Sequence, residues 1–305
     1  MSRTVVVGLD GSPASLAAAE WAAREARLRR LPLKLLHAVE HWAPPYGYAS
    51  LAGISAPAPA AYWDDPMPRD TFDQLAERHP DLDISMEQVE GQPVSVLAGA
   101  AQEAEVLVLG SRGLGAMTGF LIGSVSQAVL AHAERPVVVV RTGPWMDSVC
   151  LSTPDGNRPQ VSACQPVVLG LDLSRPCDEL LDYAFDAAAT RRTPLHVVHG
   201  WSMPPAYDFG PAPIAPEVRD GMAPAQATAL GNALRPWRGK YPEVRVEEES
   251  SVGPAARHLV EAAADACLVV VGRRLRRSAV GTHLGPVAHA VLHHSPAPVA
   301  VVPHP

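Results

Sequence analysis

Glycine, serine and arginine gather in one stretch, Gly110-Ser111-Arg112-Gly113-Leu114-Gly115-Ala116, which runs on to Gly123-Ser124-Val125. Glycine lacks a Cβ and tolerates positive φ, so such a loop can curl its amides around an anion. Gly123-Ser124 then opens a helical stretch, whose first N–H groups and positive dipole end favour phosphate oxygens. The Ser124 hydroxyl adds a donor. Residues of these types at this spacing suit the holding of a phosphate chain. Two other nucleotide motifs are excluded. A Walker A loop needs a lysine that Ile122-Gly123-Ser124 lacks. A dinucleotide fingerprint belongs in the first strand-to-helix turn, where Leu9-Asp10-Gly11-Ser12 has no glycine triplet. Asp10 in that turn is either a ligand contact or a strand-end turn and capping residue.

The elements that must position these residues occur twice. Val5-Val-Val-Gly-Leu-Asp10 recurs as Val167-Val-Leu-Gly-Leu-Asp172, a shift of 162 positions. Arg29-Arg30, Pro32, His37, Gly91, Gly110, Gly123 and Pro136 all find their match at that same shift. One constant register across so many punctuating residues marks a duplication. The second copy keeps Gly170, Asp172, Gly272 and Gly285, but Leu275 stands where the first has Gly113, and Pro286 where it has Ser124. Leucine resists positive φ and proline removes an amide donor, although proline is comfortable at a helix start. Arg273, Arg274, Arg276 and Arg277 cluster there instead. They form either a charge-based phosphate grip or a solvated basic loop.

Each copy alternates short β-branched runs with amphipathic stretches. In the first, Thr4–Leu9 reads as a buried strand, and Ser12-Pro13 caps a helix reaching Arg30 with Leu16, Ala19, Ala23 and Ala26 on one face. The arginines Arg24, Arg27 and Arg30 read as its solvated side. Leu33–Val39 is a strand, and a proline-rich loop from His41 to Pro68 leads to a short helix near Thr71–Arg78. Leu82–Val89 is a strand, Pro93–Gln102 a helix, Glu105–Leu109 a strand, Ser124–Ala133 a helix and Pro136–Arg141 the last strand. The second copy repeats this order from Pro166 to Val302, its own loop spanning Ser202–Pro224. The βα alternation implies an α/β fold, a doubly wound parallel sheet with helices on both faces. A strand order 3-2-1-4-5 would set Asp10 opposite the Gly110 loop, at the crevice where strand order reverses. The final strands, Val137–Val140 and Val299–Val302, are apolar edges that invite pairing.

Composition narrows the function. Of 305 residues, 47% are hydrophobic and 19% charged, which suits packed cores. A net charge of −7 gives no field for polyanions, so nucleic acid is not expected as a partner. No run of apolar residues is long enough for a membrane span, and no signal-like segment precedes Thr4. Cys150, Cys164, Cys177 and Cys267 show no metal spacing, which fits a reducing, cytoplasmic setting. His289 and His293 stand at metal-compatible spacing, without an acidic or cysteine neighbour; packing is the plainer role. No metal site is expected. Ser12, Ser111, Ser124 and Ser126 sit in no nucleophile elbow, so no catalytic residue is assigned.

Gly8-Leu-Asp10-Gly-Ser12, together with Gly110-x-x-Gly113, nine residues, then Gly123-Ser124, resembles the ATP-binding pattern of the universal stress protein family. The likeness covers nearly the whole chain in the manner of tandem members. It implies an adenine nucleotide alpha hydrolase-like fold of five strands per domain in the order 3-2-1-4-5. The domains would be 1–142, with the intact motif, and 166–305, with a degenerate one, joined by a linker over 143–165. It further implies that Gly8 and Asp10 meet the adenosine and Ala38 the adenine. Gly110, Ser111, Arg112, Gly113, Leu114, Gly115 and Ala116 would wrap ribose and phosphates, and Gly123, Ser124 and Val125 would hold the phosphate tail. Gly170, Asp172, Gly272, Arg273, Arg274 and Gly285 would form a second, poorer site. The implied cofactor is ATP, with or without Mg. The implied partners are the adenine nucleotide, the other domain through the last strand of each, an unidentified protein, and a second copy in a homodimer. A nucleotide-dependent stress regulator is the leading reading. A slow ATPase or phosphotransferase, and an interaction module without nucleotide, stand beside it.

Overall fold

The computed structural model describes residues 3–39, 67–111, 122–142, 165–202, 216–275 and 284–305. The loop residues Arg112 to Ala116, most of both proline-rich inserts, the linker, Arg276 and Arg277 lie outside the described residues. Packing divides the chain into two compact units, and each sheet is parallel-dominated with helices on both faces.

The first unit contains β1 (Val5–Leu9), α1 (Pro13–Arg29), β2 (Leu33–Val39), α2 (Met67–Arg78), β3 (Ile84–Glu90), α3 (Pro93–Glu103), β4 (Val106–Gly110) and α4 (Ser124–His132). Its strands run in the order β3-β2-β1-β4, with Val5 in register with both Leu33 and Val106. β1 and β4 are unbroken apolar runs, buried throughout. That is how a strand covered on both faces reads. Helix α1 packs on β1 and β4 and touches α2, whereas α3 and α4 pack together.

Helix α1 starts where Ser12 Oγ accepts the Ser15 N–H at 3.1 Å, with Pro13 in the first turn. It ends on Arg30 at φ 55°, whose N–H reaches the Ala26 and Arg27 carbonyls. Arg192 ends the equivalent helix at φ 53°. The repeated Arg-Arg pair therefore marks two left-handed helix caps, an arrangement more often given to glycine. The apolar face of α1 differs from the expected one. Ala19, Ala23 and Ala26 are buried, but Leu16 is 42% exposed, and Ala14, Ala17, Ala18 and Ala22 complete the buried face. Small side chains let the helix sit deep on the sheet, leaving Leu16 to cover only its own rim. Nor are the helix arginines simply solvated. Arg24 meets the buried Glu20 carboxylate at 3.1 Å, and Arg27 Nη1 lies 3.4 Å from His79 Nδ1.

The second unit contains β5 (Val137–Val140), β6 (Val167–Gly170), α5 (Asp178–Arg191), β7 (Leu195–Trp201), α6 (Pro216–Lys240), β8 (Val246–Val252), α7 (Ala255–Ala262), β9 (Leu268–Arg274), α8 (Pro286–His294) and β10 (Val299–His304). The order is β8-β7-β6-β9-β10, with β5 beyond β10. This is the 3-2-1-4-5 order of a doubly wound sheet, plus one strand contributed by the first sequence repeat. β5 runs antiparallel to β10, Val299 facing Val139 and Val301 facing Val137. Just past β5, Arg141 Nη2 donates to the Leu292 and His293 carbonyls at the end of α8, at 2.5 and 2.9 Å. The two apolar strands read as open edges are thus each other's partners, fully covered along their paired residues. Helix α6 also departs from expectation, running through Pro224 at the end of the expected loop Ser202–Pro224. The alanines and methionine around it favour helix strongly enough to carry Pro224, and Pro236 lies inside the same helix.

Candidate functional site

In the first unit, β1 and β4 lie side by side and parallel, so Asp10 and Gly110-Ser111 emerge at the same sheet end. Asp10 is held by its own turn: Oδ1 accepts from the Ser12 amide at 3.0 Å and the Ser12 hydroxyl at 2.6 Å. The preceding carbonyl, Leu9 O, accepts the Nδ1 proton of His37 at 2.8 Å. Ala38 follows on β2, half-buried and paired with Val89.

The two ends of the glycine loop are clamped together. Gly123 N donates to Ser111 O at 2.7 Å, and Ser126 Oγ donates to Gly110 O at 2.8 Å. Ser111 is buried at this closure, while Ser124 is exposed and Val125 half-buried in the first turn of α4. Those first-turn amides have no acceptor within the helix. Arg112, Gly113, Leu114, Gly115 and Ala116 lie outside the described residues. Two of the strand-end glycines have packing reasons of their own. A Cβ on Gly110 would stand 2.7 Å from the Ala14 carbonyl carbon and the Ser15 nitrogen, and one on Gly8 2.8 Å from Leu97 and Leu109.

The second unit holds a cavity of about 640 Å³ at the equivalent place, bordered by Gly170, Asp172, Gly272, Arg274, Gly285 and Pro286. Asp172 repeats the turn of Asp10, accepting from the Ser174 amide and hydroxyl at 2.9 and 2.7 Å. His199 repeats His37, its Nδ1 donating to Leu171 O at 3.0 Å. Gly272 makes room for His304, whose Nε2 would stand 2.8 Å from a Cβ there, whereas a Cβ on Gly285 would meet open space. The basic cluster divides. β9 continues through Arg274, so Arg273 and Arg274 are strand residues rather than loop residues. Strand alternation sends them opposite ways. Arg274 lines the cavity with Gly272, and Arg273, only 2% exposed, is buried outside its lining.

Sequence reasoning missed three side chains that line this cavity: Arg175, Cys177 and His304. The constant shift gives no signal for them, since Pro13, Ser15 and Thr142 occupy the matching places in the first copy, outside its glycine motif. Burial pushes the Cys177 thiol up, helped by its 2.9 Å hydrogen bond to Glu179. That same bond holds the Glu179 carboxyl below its usual range. Elsewhere on α8, the His289 and His293 rings lie 4.2 Å apart, tilted by 30°.

Comparison with known proteins matches this architecture. The model of the universal stress protein family fits residues 1–141 and again 164–303. Universal stress protein Rv1996 of Mycobacterium tuberculosis (strain ATCC 25618 / H37Rv) is 32% identical over 97% of this chain and 94% of its own length. Universal stress protein Rv2005c of the same strain is 34% identical over 97% of this chain and 96% of its own. A crystal structure of a universal stress protein from Archaeoglobus fulgidus DSM 4304 shares the fold at a TM-score of 0.64 and 17% identity, covering 99% of each chain. With both repeats matched, the chain belongs to the universal stress protein family as a tandem member.

Proposed function

We infer that this protein is an ATP-binding regulator of the stress response, with its nucleotide held by the first repeat, 1–142. The observation that carries the reading is the convergence at one sheet end of Asp10, the clamped base of the glycine loop and the open first turn of α4. Asp10, kept in place by Ser12, faces the adenosine beside Gly8 and Ala38. Amides from Gly110 to Ala116 follow the ribose and phosphates. Ser124 and the amides after Gly123 take the phosphate tail, where a helix N-terminus favours negative charge. The donors are main-chain amides, one hydroxyl and Arg112. That set suits a polyphosphate, with or without Mg, better than it suits a neutral metabolite. Occupancy rather than turnover is the signal in this reading. The protein acts in the cytoplasm, and the bound nucleotide biases its association with a protein partner or a second copy.

The test is mass spectrometry of nucleotide released from freshly purified protein, set beside the Gly113→Val chain. The expected result is ATP in the unaltered protein and none in the variant, both unfolding cooperatively. Equal nucleotide content in the two would remove the loop from the site. Phosphate release well above background would move the protein among the hydrolases.

A further inference from the structure

The second repeat has exchanged one kind of anion recognition for another. Two donors of the first repeat are missing: Pro286 replaces the Ser124 hydroxyl and its amide, and Leu275 replaces Gly113. Two side chains that the first repeat lacks at the matching positions line the cavity instead, the guanidinium of Arg175 for Pro13 and the imidazole of His304 for Thr142. Arg274 stands with them. Among the described residues, neither the Arg175 nor the Arg274 guanidinium has a hydrogen-bond or ion-pair partner. The lining's acid, Asp172, has Oδ1 engaged by Ser174, and Cys177 is a protonated thiol because burial and Glu179 hold it up. The lining is therefore net positive within a chain of net charge −7, a local attraction for anions. Behind the charges the wall is apolar, from Leu171, Val198, Leu259 and Val271. A volume of about 640 Å³ is in the range of small-ligand pockets.

We propose that the cavity of the second repeat binds a phosphate monoester carried on a flat or apolar body, gripped by Arg175, Arg274 and His304, and not a polyphosphate chain. Guanidinium groups take a compact phosphate through paired N–H bonds. The lost amide and glycine deprive a longer chain of its cradle. This site is independent of the ATP reading of the first repeat and is tested with that repeat silenced.

The experiment is calorimetric titration of the full-length Gly113→Val chain with AMP, ATP and ribose 5-phosphate. AMP is expected to bind at one equivalent and no more weakly than ATP, with ribose 5-phosphate weaker than AMP. Changing Arg175→Gln and Arg274→Gln together should weaken AMP about tenfold or more, as loss of charged hydrogen bonds does. Absence of AMP binding, unchanged affinity in the double arginine variant, or tighter binding of ATP than of AMP overturns the proposal. Ribose 5-phosphate binding as well as AMP would show that the apolar wall has no role and overturns it too. If Gly113→Val unfolds the chain, the unaltered protein is compared with the double arginine variant. A difference of one AMP equivalent then supports the site, and no difference refutes it.

Discussion

Glycines of the same motif have different work to do. At Gly110, an added methyl would press on the Ala14 and Ser15 main chain at 2.7 Å, so the helix would have to lift from the strand. Gly110→Ala should cost about 1–3 kcal/mol, the usual penalty of overpacking a fitted contact. At Gly285, which caps α8 in an extended conformation with nothing near it, Gly285→Ala should stay within about 1 kcal/mol. Urea unfolding of the two variants checks the pair; equal losses would mean that packing does not explain Gly110. The sequence could show that glycine recurs at these positions. It could not separate room for a ligand from room for a helix, because that depends on which main chain passes overhead. The same blindness hid Arg175 and His304, which belong to no glycine motif and become neighbours only through the sheet.

At the scale of elements, helix α2 is secured to α1 by charge. The Glu20 carboxylate, buried on α1, meets Arg24 at 3.1 Å, Arg78 at 2.9 Å and His79 at 3.3 Å. Breaking a buried charge cluster costs more than breaking an exposed pair. Arg78 is half-exposed, which tempers the loss, so Glu20→Ala should destabilise by about 1–3 kcal/mol. Lys34→Ala, which removes an exposed pair with Glu87 across β2 and β3, should lie within about 1 kcal/mol. Thermal unfolding of both variants decides; comparable shifts would refute the ranking. Much at this scale was legible. Unbroken valine runs gave β1, β4, β5 and β6, and Ser12-Pro13 gave the start of α1, because capping and strand burial are local rules. The clamp was not, since Glu20 and His79 are far apart in the chain and each reads alone as a surface residue. Pro224 misled for the opposite reason: a local helix-breaking signal was outweighed by its neighbours.

For the molecule as a whole, the decisive contact is the antiparallel seam of β5 and β10. A chain stopped after Thr142 keeps β5 but loses the strand that covers it. Antiparallel strands can pair with their own copies about a twofold axis, and an uncovered apolar strand seeks such a partner. The truncated chain should therefore elute as a dimer in size-exclusion chromatography with light scattering. A stable monomer would show that β10 is dispensable to β5. The duplication itself was plain from its constant shift. Which strand would join which was implied by the family resemblance, whereas the residues alone showed two valine-rich edges that invite pairing.

That seam has an evolutionary corollary. Two identical subunits must accept every substitution twice, once on each side of their axis, so neither binding site can change without the other. Once both copies share a polypeptide, Ser124 can persist in one while Pro286 appears in the other, and a mutation touches a single pocket. Covalent fusion frees each copy's sequence to diverge without the other.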